Sequence, residues 1–357
     1  MAHANSSDPS GFIAGPIRDT VFLIAAPLLG VLVFLPFYLS PVMNYPLEQV
    51  GGYFYATTLK DAFMGVVISS HLVIVFFRSH GNPRVFRRHP IRFTVVPAVL
   101  LTAMLLSPVV VAAIGILSIW WDVYHSSLQT FGIGRIYDQK RGNDLQVGRR
   151  LDYVLNLLIY AGPIVGGASL FLHIANHDRH LGSMPALGEA LFDQIPVVAN
   201  IYSRYATFTL LAFAIPFCVY YVYAYWRLQR RGYRVSFQKV FLLAFLVPVS
   251  VVCWGFNSFA EAFFVMNFFH SWQYFFLVWH IEGRNLTPLF RLDRFRYGSQ
   301  VALAVYVFAG VGFGVWATFP WLSLHFTDHT MLSILMTVAI LHFWYDGFIW
   351  SVSRGHV

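Results

Sequence analysis

Residues 109–134 read VVVAAIGILSIWWDVYHSSLQTFGIG. The first thirteen carry no charge, and a helix of the full stretch, rising 1.5 Å per residue, exceeds the ~30 Å thickness of a hydrocarbon layer. Asp122 and His125 stand inside it. The stretch therefore implies two things together: a helix whose solvent is lipid, and a polar site placed within that helix.

The rest of the chain repeats the first implication. Of 357 residues 57% are apolar, 18% aromatic and only 11% charged, against the quarter or so of charged residues that covers a soluble globule. The expected fold is all-α: a polytopic helical bundle forming one transmembrane domain over residues 1–357. Ten spans are expected, near 20–39, 59–78, 92–107, 109–134, 151–172, 204–226, 238–255, 257–282, 299–319 and 330–351. Ser107-Pro108 and Gly255-Phe256-Asn257 are read as tight turns, because proline and glycine interrupt stretches too long for one crossing. The N-terminus lacks the basic region and cleavage site of a secretory signal, so the first apolar segment is expected to remain as a span.

Charge is distributed unevenly between the connections. Loops 78–92, 135–150, 227–239 and 284–298, with the two termini, hold 21 of the 24 Lys and Arg; Lys60, Arg179 and Arg204 are the other three. By the positive-inside rule both termini are cytoplasmic, and a bacterial inner membrane is the expected location. The net charge of +8 thus reports orientation rather than nucleic-acid binding. Cys218 and Cys253 lie in apolar segments without CxxC spacing and suggest packing, not thiolate chemistry.

An ionisable group near the middle of a membrane helix costs roughly 2.5–3.5 kcal/mol on insertion scales. Seven such residues occur here: His71, Asp122, His125, Glu261, His270, His342 and Asp346. Asp122, His125 and Gln129 share one helix face at i, i+3 and i+7, as do His342 and Asp346 at i and i+4. Asn267, His270, Gln273 and Tyr274 form a polar stripe, with His280 ten residues beyond His270 near the same face. Glu261 points away from His270. Counted from the arginine that ends each span, His71 is about 10 Å deep, Asp346 about 12, His125 about 15, His342 about 18 and His270 about 21.

Imidazole and carboxylate converging from separate spans are the donors that iron, zinc or copper takes in bundle cores. The expected metal ligands are His71, His125, His270, His280, His342 and Asp346. Asp122, Asp346 and Tyr274 are the candidate acid–base residues, and Gln129, Asn267 and Gln273 the supporting polar shell. In that shell Asp122 is expected to orient His125, and Gln273 to orient His270. The alternative is that each histidine only bonds a neighbouring helix. Spans four and eight also echo each other, Asp122-x-x-His125-Ser126 against Asn267-x-x-His270-Ser271.

Other motifs carry less. His173-x-x-x-His177-x-x-His180 is the most regular histidine spacing, but the charge pattern puts it on the outer side. His80 and His89 sit in a basic loop suited to lipid headgroups. Gly132-x-Gly134-Arg135 lacks the strand and full glycine set of a phosphate cradle, so helix packing is its simpler role.

The function expected is a membrane oxidoreductase with non-haem iron, one ion or two, oxygenating or desaturating a lipid-soluble chain with electrons from a separate donor. The chemistry is analogous to that of the histidine-rich membrane desaturases and hydroxylases, whose paired HxxxH and HxxHH boxes this chain lacks. Three alternatives share the same residues. They are a haem b protein with axial His125 and His270 passing electrons to quinone, a zinc-dependent lipid hydrolase or transferase with Asp122 or Asp346 as base, and a proton-coupled transporter.

Overall fold

The structure is a computed structural model and describes residues 11–44, 58–166, 200–256, 259–319 and 328–350. These residues are all-helical, with no strand among them. Six helices are long and apolar enough to cross a membrane: Leu59–Ser79, Pro108–Lys140, Tyr205–Arg230, Phe237–Phe256, Gly298–Thr318 and His329–Ile349. A bent pair, Pro16–Ile24 with Ala26–Val33, makes a seventh if counted as one span.

The first passage shows why it bends. α1 (Pro16–Asp19) runs into a π-helical turn (Thr20–Ile24), and α2 (Ala26–Leu39) leaves at 59°. In the turn, Ala25 N–H donates to the Thr20 carbonyl at 2.8 Å, which leaves the Val21 carbonyl free. Pro27 has no N–H to offer the Leu23 carbonyl four residues back. Both carbonyls are taken by the side chains of another helix: Trp272 Nε1 donates to Val21 at 3.3 Å and Gln273 Nε2 to Leu23 at 2.8 Å.

α3 (Leu59–Leu72) begins with a Thr58–Asp61 capping box and breaks at Val73-Ile74 before α4 (Val75–Ser79). α5 (Pro83–Arg88) is capped by Asn82. α6 (Pro90–Leu106) and α7 (Pro108–Lys140) meet at Ser107, whose hydroxyl accepts from Val110 N–H, so the expected Ser107-Pro108 turn is present. α8 spans Arg149–Gly166, α9 Asn200–Arg230, α10 Phe237–Phe256, α11 Phe259–Leu289, α12 Gly298–Thr318 and α13 Asp328–Ile349. Of the expected Gly255-Phe256-Asn257 turn, Gly255 and Phe256 are still helical at the end of α10, and Asn257 lies outside the described residues.

Burial is inverted relative to a water-soluble protein. Phe208, Val219 and Phe308 are 67%, 66% and 79% exposed, whereas Asp122, His125, Asn267 and His270 are buried. α9 in particular turns apolar side chains outward on most of its circumference, as a helix facing lipid does. α12 lies close to its neighbours through glycines: a Cβ on Gly314 would collide with the Val66 carbonyl oxygen of α3, and one on Gly310 would stand 2.6 Å from Phe275 of α11. Small residues let these backbones approach closely.

One end of the bundle is tied by a buried charge network. Arg135 donates to Asp138 at 2.8 Å and Asp152 at 2.7 Å, and Lys239 Nζ reaches the same two carboxylates at 2.7 and 3.0 Å. Tyr221 and Tyr225 donate to the other Asp152 oxygen, at 2.8 and 2.6 Å. Two cations and two anions from α7, α8 and α10 thus neutralise one another inside the fold, with α9 supplying the hydroxyls. Arg135 also holds the carbonyls of Leu145 and Val147, and a Cβ on Gly134 would stand 3.2 Å from Lys239, so Gly134 and Arg135 serve packing and loop fixation.

Candidate metal centre

His71 comes from the last turn of α3, His125 from the middle of α7, His270 from α11 and His342 from α13. Their imidazoles form a closed quadrilateral. Ring centroids are 5.1 Å apart for His71–His270, and 4.9 Å for His270–His125, His125–His342 and His342–His71. The His270–His342 diagonal is 6.4 Å. All four residues are buried, at 0–5% exposure.

Six of the ring nitrogens are buried without a hydrogen-bond partner: Nε2 of His71 and His125, and both nitrogens of His270 and His342. A buried polar atom left unbonded costs about 1–3 kcal/mol, so the set is costly as it stands, and a metal ion could take one nitrogen from each ring it touches. Ligand atoms of His71, His270 and His342 lie within 4.8 Å of one another, as do those of His125, His342 and Asp346. The second group is a two-histidine, one-carboxylate set.

Asp346 is held from behind. Its Oδ1 accepts from Tyr274 OH and Trp350 Nε1, both at 2.8 Å. That leaves Oδ2 facing His125 Nε2 at 3.6 Å and His342 Nε2 at 4.0 Å. Arg78 lies 4.2 Å above the Trp350 ring and pairs with Glu282 at 2.7 Å, fixing the indole that fixes the carboxylate. His71 Nδ1 is hydrogen-bonded to Ser271 Oγ at 2.8 Å, which leaves Nε2 as its free donor atom.

The polar residues of α7 and α11 have a different job from the one the sequence suggests. Asp122 accepts from Asn267 Nδ2 at 2.7 Å rather than orienting His125. Gln273 donates to the Leu23 carbonyl and accepts from Gln129 Nε2 at 3.0 Å rather than orienting His270. Gln129 also donates to the His270 carbonyl at 3.1 Å. The two echoing segments run side by side and pair in order, Asp122 with Asn267, His125 with His270 and Gln129 with Gln273.

His280 does not join the cluster. Ten residues past His270 is about 15 Å along the helix. There it is exposed and stacked on Phe276, with centroids 5.7 Å apart. His80 is bonded at both ring nitrogens, to Ser79 Oγ and the Phe93 carbonyl, and is a packing residue. His173, His177, His180 and the side chain of Glu261 lie outside the described residues. Ser271 entered the sequence reading only through the echo between spans four and eight, Trp350 reads there as an aromatic at a span end, and the Arg78–Glu282 pair carries no sequence signal.

A cavity of about 560 Å³ adjoins the cluster. His125, Tyr274 and Asp346 line it together with Trp121, Phe343, Trp350, Arg92 and Arg149. Comparison with protein-family models, with curated proteins and with solved structures finds no match.

Proposed function

We propose that the chain is a membrane oxidoreductase with a non-haem iron centre, acting on a lipid-soluble substrate that reaches the metal through the cavity beside His125 and Asp346. The observation that carries this reading is the quadrilateral of four buried imidazoles with six unpartnered nitrogens. Neutral imidazole nitrogens with a nearby carboxylate suit iron, and the His125–His342–Asp346 set has the composition of the two-histidine, one-carboxylate sites of iron oxygenases. Iron bound there would supply activation of dioxygen, with electrons from a separate donor.

The residues of the chain then divide the remaining work. His71, His125, His270 and His342 hold the metal, and Asp346, pinned by Tyr274 and Trp350, offers its free oxygen on the cavity side as a further ligand or proton acceptor. The aromatic walls exclude water and align an apolar chain. A haem between His125 and His270 fits less well, since the other two imidazoles occupy the space its plane needs. Completing this reading, the chain crosses a bacterial inner membrane ten times with both termini in the cytoplasm, on the side richer in arginine.

The test is metal analysis and optical spectroscopy of protein purified in detergent under anaerobic conditions. Iron at one or two ions per chain, without a Soret band, is expected. A Soret band, zinc in place of iron, or no metal after reconstitution with ferrous ion overturns the reading.

A further inference from the structure

Resting on that reading of the cluster as the reacting centre, we infer that the cavity takes a single-chain amphiphile whose anionic end group, a carboxylate or phosphate, is held by Arg92 and Arg149.

The cavity wall combines three kinds of residue: His125 and Asp346 of the cluster, aromatic side chains such as Trp121, Phe343 and Phe348, and the arginines Arg92 and Arg149. Arg135 also lines the cavity, but Asp138 and Asp152 neutralise it. Arg92 and Arg149 are exposed and make no ion pair among the described residues. Arg92 instead lies 5.0 Å over the Phe348 ring, which also lines the cavity. An exposed guanidinium beside an apolar cleft suits an anion that arrives with an apolar body.

Shape agrees with this. Along α7 the lining runs from Trp121 to Ile136 and includes His125, Gln129 and Gly132, about 22 Å of helix beside the cluster. Two wall residues are glycines, Gly132 and Gly347, and a Cβ at either meets nothing within 4 Å. Neither glycine is required by a close backbone approach, and a side chain at either position would take space in the cleft. An amphiphile anchored at the arginines places a carbon well down its chain, not its head, beside His125.

Binding is read by quenching of tryptophan fluorescence with 16-doxyl-stearate, displaced by stearate, hexadecyl phosphate, methyl stearate or phosphatidylglycerol, using full-length protein in neutral detergent. Stearate and hexadecyl phosphate are expected to compete about tenfold or more better than the ester, as for a charge-assisted contact. Arg92→Gln with Arg149→Gln should remove that preference and leave the ester unchanged, while Arg150→Gln, off this cavity, should keep it. Gly132→Leu should abolish displaceable quenching while metal content stays intact. Equal competition by acid and ester, loss of preference in Arg150→Gln, or phosphatidylglycerol competing as well as stearate overturns the inference. Metal content measured on the same samples separates the two readings. An acid-selective cavity without iron removes only the oxidoreductase, and iron with an unselective cavity removes only the anionic anchor.

Discussion

Asn267 on α11 donates its amide to Asp122 on α7 at 2.7 Å, both side chains being nearly water-free. This rung sits one helical turn from the His125–His270 contact and sets the register of the two helices that carry those ligands. Asn267→Ala leaves the buried Asp122 carboxyl without its amide partner, and is expected to lower stability by about 1–3 kcal/mol. Asp122→Leu with Asn267→Leu should recover most of the loss, because both polar partners are gone. Thermal unfolding in detergent with a double-mutant cycle checks this; additive effects of the two single changes would contradict the rung.

Ser271 orients His71 through its ring Nδ1. Ser271→Ala should weaken metal retention about 10–100-fold, the usual cost of losing an outer partner of a metal-bound imidazole, without changing the fold. Alanine at His71, His125, His270 or His342 should reduce bound metal much further, whereas His80→Ala and His280→Ala should retain it. Metal titration of each variant distinguishes these; full retention in His270→Ala would refute the site.

The Arg135–Asp138–Asp152–Lys239 network is neutral as built. Lys239→Met removes one cation and leaves two carboxylates against one guanidinium, an expected loss of about 3–5 kcal/mol. Adding Asp138→Asn restores the charge balance and should return part of it. Denaturant titration of the single and double variants is the measurement.

Gly314 lets α12 approach α3, the helix that ends at His71. Gly314→Ala forces a methyl group towards the Val66 carbonyl, where the neighbour is backbone and yields poorly. A destabilisation of about 1–3 kcal/mol is expected, with weaker metal binding because α3 must shift. The same change at Gly132, with open space around it, should leave stability unchanged or improve it.

His80, just beyond α4, is held below its ordinary pKa of 6.5 by burial, partly offset by its bond to the Phe93 carbonyl. The folded state therefore binds this proton less readily than the unfolded one. Its contribution to stability is complete above pH 6.5 and declines as pH falls below that value. His80→Gln should flatten the fall in stability between about pH 7 and pH 5.5 relative to the parent chain. An identical slope in both proteins would show that His80 does not carry it.

Much of the centre was readable from the chain, because a histidine or carboxylate inside an apolar stretch declares itself. His71, His125, His270, His342 and Asp346 were found this way, and the turn at Ser107 followed from its proline. Heights were less readable. Counting from the terminal arginines spreads the histidines over about 11 Å, yet neighbouring rings are 4.9–5.1 Å apart. Those arginines do not mark a common level: Arg284 stands within α11, which continues to Leu289. Partner choice was hidden as well, since helical spacing places Asp122 on the face of His125 and says nothing of an asparagine arriving from α11. Arg135, Asp138, Asp152 and Lys239 looked like ordinary span-end charges, and only the packing of four helices shows them to be interior.

Pro27 and the π-turn before it do more than bend the first helix. They withdraw two carbonyls from their own helix and hand them to Trp272 and Gln273, the pair that follows His270-Ser271. The beginning of the chain thereby acts as a keystone. Gln273, which also accepts from Gln129, is thus fixed on one side by the first helix and on the other by α7, so a segment that contributes no ligand braces the helix that carries His270.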